Sequence, residues 1–205
     1  MRNRWTNLAS QLNETAAQSA AAFDCLIALY EYPSRAYHNL KHVEKMLDEF
    51  NVMGLFATEP LLVQLAIWFH DCVYNPKAND NEARSAEVCR ALLYPFPLNP
   101  IQADVVTQLI LATKHAAAPA TPDQRLIVDL DLAILGTAPE QYDAYAEAIR
   151  TEYRHMNEAT FKVGRRHILQ GFVARPTIFS TDAFIQKYEA PARENLLREI
   201  DQLAV

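Results

Sequence analysis

His70 and Asp71 stand side by side in WFHDCVYNP, directly after LLVQLAIWF, a run that is apolar on nearly every side. Such a run reads as a helix buried at the centre of a bundle, which puts the pair at the edge of a core. A buried carboxylate without a partner is costly or changes its protonation state, whereas a cation or matched charge removes most of that penalty. Two other segments have suitable chemistry. In AYHNLKHVEKML, His38 and His42 share one helix face beside Leu40, Val43 and Leu47. In LIVDLDLAILG, Asp129 and Asp131 interrupt a hydrophobic run. On a strand the two carboxylates would share a side; on a helix they diverge, and only one reaches a common centre. Gly136, just past the run, favours the helix as its C-terminal cap.

A histidine, a later His-Asp pair ending a buried helix, and a still later aspartate inside an apolar helix resemble the H…HD…D pattern of the HD superfamily of metal-dependent phosphohydrolases. The stretches YHNLKHV, LAIWFHDCVYNP, NEARSAEV, DLDLAILG, RPTIF and EAPARENLLREI, spread between Tyr37 and Ile200, look like a bacterial branch of that superfamily, so the resemblance extends over most of the chain. The resemblance implies an all-α, HD-type helical bundle that binds one divalent metal through His42, His70, Asp71 and Asp131. Asp131 is preferred to Asp129 because DLDLAILG looks like the family's final ligand-bearing helix, although either aspartate remains open as the last ligand. Two imidazoles and two carboxylates suit Mn, Fe, Ni, Co, Zn or Mg, with positions left for water and substrate. Such an ion polarises a phosphoryl oxygen and activates water. Superfamily members with two metals have two further histidines before the last aspartate; this chain has only His115 there, which speaks against a di-iron oxygenase.

The expected function is hydrolysis of a phosphate ester, with small nucleotides as the substrate class by analogy, and the alternative is a non-catalytic metal- or nucleotide-binding sensor. Asp71 is also a candidate to move a proton, and Glu82 to position the attacking water. His38, Lys114, His115, Arg165 and Arg175 are candidates to bind substrate. Each has a plainer explanation. Asn79 and Glu82 have capping-box spacing, Lys114 and His115 suit the negative end of a helix, and the basic stretch from Arg150 to Arg175 reads equally as a solvated helix face.

Periodicity predicts helices at Trp5 to Tyr30, Tyr37 to Met53, Glu59 to Tyr74, Asp80 to Leu93, Pro100 to Lys114, Asp123 to Leu135, Pro139 to His155, Ala159 to Ala174 and Pro191 to Leu203, with Pro191 in a first turn. Residues 1–136 are expected to form the metal-binding core and 137–205 a helical extension packed on the same domain. The apolar side of the last helix covers either that core or a second subunit, as in a homodimer. A chain of 205 residues, half of them hydrophobic, buries a full core. Its net charge of -6 disfavours nucleic-acid polymers and anionic membranes as partners. The four glycines lack any phosphate-loop spacing. Three cysteines read as buried thiols, and with no signal peptide or spanning run the expected location is cytoplasmic.

Overall fold

The computed structural model describes residues 1–12 and 15–204, and these form α-helices and 3-10 turns with no strand. The helices are α1 (Arg2–Ser10), α2 (Ala16–Tyr30), α3 (Leu40–Met53), α4 (Pro60–Phe69), α5 (Asn81–Leu93), α6 (Pro100–Ala112), α7 (Pro122–Leu132), α8 (Pro139–Glu152), α9 (Glu158–Val173) and α10 (Asp182–Gln202). One 3-10 turn, Gly54–Phe56, follows α3, and another, Ala133–Gly136, follows α7. Among the described residues no helix is long and apolar enough to cross a membrane.

The chain divides into two compact units, Met1–Ile127 and Val128–Val205. In the first, α4 is the central helix: Leu62, Val63, Leu65, Ala66, Ile67, Trp68 and Phe69 are all buried, and α1, α3, α5 and α6 pack around it. Trp5 meets Trp68, Phe69 and Phe96 edge-on, with centroids 5.5, 6.1 and 6.4 Å away. Each large apolar side chain so buried contributes roughly 1.5–3 kcal/mol. The start of α4 has no cap of its own. Buried Asp123 instead fixes the two residues ahead of it, accepting the backbone N–H groups of Thr58 and Glu59 at 2.7 and 2.9 Å.

In the second unit α10 packs against α9 and the turn Ala133–Gly136. Polar side chains tie its segments together. Asn195 donates to the carbonyls of Leu135 and Thr137, both at 2.9 Å. Glu189 accepts from the N–H groups of Ile178 and Phe179, and Arg193 donates to the carbonyls of Val173, Arg175 and Pro176. RPTIF and EAPAR are therefore joined to each other by hydrogen bonds that fix the α9–α10 connection.

Several expectations are corrected. The span Trp5 to Tyr30 is two helices, α2 starting where Thr15 accepts the N–H of Gln18; Asn13 and Glu14 of the expected helix lie outside the described residues. Pro191 lies inside α10, because Phe184 and Tyr188 are buried one turn apart and extend the helix back to Asp182. Glu82 belongs to no capping box: α5 begins at Asn81, after Asp80, without a side-chain cap. Gly136 has no positive φ; a Cβ there would lie 2.6 Å from the Tyr188 carbonyl oxygen, so it is close packing on α10 that requires glycine. The turn Ala133–Gly136 packs against α10 within the second unit. Cys25 is exposed, while Cys72 and Cys89 are buried.

Candidate metal centre

His42 sits in the first turn of α3, which Asn39 starts by accepting the N–H of Lys41. His70 is the C-terminal cap of α4, where the chain leaves the helix, and Asp71 follows in the turn. All three are buried. The His42 and His70 Nε2 atoms are 3.2 Å apart. Asp71 Oδ2 lies 3.1 Å from His70 Nε2 and 4.0 Å from His42 Nε2.

One hydrogen bond determines the chemistry of this cluster. His70 Nδ1 is 2.9 Å from the Ile67 carbonyl oxygen. A carbonyl only accepts, so Nδ1 carries the proton and, in a neutral ring, Nε2 presents a lone pair. That lone pair faces the Asp71 carboxylate, a second acceptor. The contact is repulsive unless a further proton or a shared cation lies there. Two nitrogens on one ion at about 2.1 Å are roughly 3.0 Å apart at a right angle and roughly 3.4 Å apart at a tetrahedral one; the observed separation falls between. The C-terminal carbonyls of α4 add negative potential at the same place.

Half-buried Asp131, on α7, completes a group of ligand atoms: those of His42, His70 and Asp131 lie within 4.8 Å of one another. These three residues are close enough to bind a metal ion. Asp129 faces elsewhere. Fully buried, it accepts from the N–H groups of Ser180 and Thr181, each at 2.8 Å, and from the Thr181 hydroxyl at 2.7 Å. Burial pushes its carboxyl above the ordinary value, against the opposing pull of those hydrogen bonds. Thr181 is the N-cap of α10, so the task of Asp129 is to start that helix. Cys72 adjoins Asp71 but is no ligand candidate. Burial pushes its thiol up to about 12, and Sγ donates to the Ser85 carbonyl.

Around the cluster the loops are held by residues that the sequence did not single out. Arg35 donates to the carbonyls of His38, Asp71 and Cys72 at 2.9, 2.6 and 2.8 Å. Tyr30 donates to the Trp68 carbonyl at 3.1 Å. On α5, Ser85 takes the N–H of Val73 and Asn81 that of Asn75, and each returns a bond to the same residue's carbonyl. Asn81 and Ser85 are one turn apart on one helix face, a polar pair in NEARSAEV that was the available signal. Tyr37 and Tyr74 were also missed. Tyr37 lies 4.8 Å from His42, and Tyr74 stacks on His38 at 4.0 Å, so His38 is held beside the ligands by aromatic contacts.

The remaining candidates are placed as follows. Glu82 is half-buried in the first turn of α5. Lys114 and His115 lie just past the end of α6. Lys114 donates to the Asn79 carbonyl at 2.6 Å, bracing the loop ahead of α5. His115 is the one non-glycine residue with positive φ among the described residues, at 55°. Arg165 and Arg175 belong to the second unit. Arg165, a candidate to bind substrate, is buried and forms a two-pronged pair with buried Glu199 at 2.8 and 3.1 Å, with a further bond to Tyr145. Glu199 also accepts from Tyr142, whose hydroxyl pKa is raised by burial and by that carboxylate. Arg175 lies over Phe172 at 4.4 Å, and burial lowers its pKa.

No protein-family model, curated protein or solved structure matches the chain.

Proposed function

We propose that the chain is a metal-dependent phosphohydrolase that cleaves a phosphate ester at a centre formed by His42, His70, Asp71 and Asp131. The observation that carries this reading is the short contact of Asp71 Oδ2 with His70 Nε2, an imidazole whose proton is committed to Ile67. A pair of acceptors held this close, with His42 and Asp131 beside them, suits a divalent cation. The ion supplies Lewis acidity, polarising a phosphoryl oxygen and making water a better nucleophile.

The chain's own residues do the rest. His42 and His70 offer neutral nitrogens, and the Ile67 carbonyl orients His70. Asp71 Oδ2 accepts the proton of the attacking water. His38, in ring contact with Tyr37 and Tyr74, is assigned with Lys114 and His115 to bind substrate, and Glu82 to orient the water. The HD-superfamily pattern supports the same reading, and it alone favours a small nucleotide as substrate.

The test takes protein purified without chelator. Metal analysis is expected to give about one ion per chain, matching one ligand set. A panel of nucleoside phosphates and simple phosphate esters, assayed with Mn²⁺, Co²⁺, Ni²⁺ and Mg²⁺, is expected to show metal-dependent phosphate release. Asp71→Ala should lower kcat/KM by at least about 100-fold, the usual scale of lost general-base catalysis, with helicity by circular dichroism retained. Tight nucleotide binding without release would make the protein a sensor; absence of bound metal would end the proposal.

A further inference from the structure

Resting on the metal-binding reading above, we infer that Arg35 is a positioning residue of the centre, holding the segment that carries His42 in register with the turn that carries Asp71. Its guanidinium spans the two: Nη1 donates to the His38 carbonyl at 2.9 Å and the Asp71 carbonyl at 2.6 Å, and Nη2 to the Cys72 carbonyl at 2.8 Å. These bonds join positions 36 and 37 residues from Arg35 to one only three away. The central carbon of the guanidinium lies over two aromatic rings, 5.2 Å from the centroid of Tyr30 and 5.8 Å from that of Tyr74. Among the described residues no carboxylate forms an ion pair with it, and its buried Nε has no hydrogen-bond partner.

An arginine placed without a counter-charge is held by what it grips. The carbonyls of Asp71 and Cys72 lie just beyond the end of α4, where a helix leaves its last acceptors unsatisfied and where positive charge is favoured. The His38 carbonyl belongs to the lead into α3, four residues before His42. A rigid planar fork fixes the distance between the two strands of chain, and lysine, a single point of charge on a flexible stem, cannot reproduce it. Metal affinity depends on ligand atoms held to within a few tenths of an ångström. Positioning and charge predict opposite signs. As a neighbouring cation Arg35 repels the metal, so removing its charge alone would tighten binding, whereas losing the clamp weakens it.

Mn²⁺ titration of the full chain by calorimetry, with thermal melts of metal-free and Mn²⁺-saturated protein, separates these effects. Arg35→Lys, which keeps charge and stem, and Arg35→Ala are both expected to raise the Mn²⁺ Kd by roughly 10- to 100-fold, the scale of lost outer-shell support. Millimolar guanidinium is expected to restore part of the affinity of Arg35→Ala and none in Arg35→Lys. An unchanged or tighter Kd in the variants overturns the inference. So does a fall in metal-free melting temperature with an undiminished rise on adding Mn²⁺, the mark of a merely structural residue. Should Arg35→Ala not fold, Arg35→Lys decides by the same readings. Wild-type protein that takes no Mn²⁺ overturns both this inference and the proposed function; wild-type binding with unaffected variants overturns this one alone.

Discussion

Residues two apart on an α-helix point about 200° from each other, and α7 shows what that does to a pair of aspartates. Asp131 reaches the ligand group of His42 and His70, while Asp129 reaches Ser180 and Thr181. The divergence was legible in LIVDLDLAILG only through the helix that Gly136 suggested, since a buried strand would carry apolar residues on both sides as well. Which aspartate does which was not legible from spacing, because the partners of Asp129 lie some fifty positions further on. Substitution distinguishes the two roles. Asp129→Ala leaves two backbone N–H groups at the start of α10 without their acceptor and should cost about 2–3 kcal/mol in urea unfolding, with Mn²⁺ affinity retained. Asp131→Ala should weaken Mn²⁺ binding by at least about 10-fold. If the two variants exchange these effects, Asp129 is the ligand.

Elements were most legible where burial is complete or periodicity long. The all-round apolarity of LLVQLAIWF marked α4 as central, and every position from Leu65 to Phe69 is buried. Where a helix mixes signals, the sequence said less. In α10 the stretch before Pro191 mixes charged and apolar residues, and its two buried rings, Phe184 and Tyr188, became meaningful only with a surface to pack on. Gly136 illustrates the same dependence. Its need is close approach to the Tyr188 backbone, a tertiary fact. Glycine substitutions consequently have predictable and opposite signs. Gly136→Ala forces a Cβ to within 2.6 Å of a carbonyl oxygen and should destabilise by about 1–3 kcal/mol. Gly164 and Gly171 lie within α9 with nothing within 4 Å of an added Cβ, so Gly164→Ala and Gly171→Ala should each stabilise by up to about 1 kcal/mol. Urea midpoints of the three variants check this; a stabilised Gly136→Ala would refute the packing argument.

For the molecule as a whole, the proposed ligands come from three distant segments, and their types were readable while their support was not. His42, His70 and Asp71 announced themselves as ionisable groups beside apolar runs. Arg35 and Ser85 were not singled out, because their part shows only in the hydrogen bonds they make to the turn after α4. Metal binding ties this local chemistry to global stability, since an ion that binds the folded chain and not the unfolded one adds RT ln(1 + [L]/Kd). At one hundred times Kd that is about 2.7 kcal/mol, and for a chain of this size each kcal/mol shifts the melting temperature by roughly 2–4 °C. Saturating Mn²⁺ should therefore raise the melting temperature by about 5–10 °C, and excess chelator should reverse the rise. In Asp131→Ala, a tenfold weaker Kd at the same Mn²⁺ concentration leaves about 1.4 of the 2.7 kcal/mol, so about half or more of the difference between the two conditions should vanish. A wild-type melting curve indifferent to both metal and chelator would mean that the His70–Asp71 contact is satisfied by a proton, and the cluster would then be a buried charge pair.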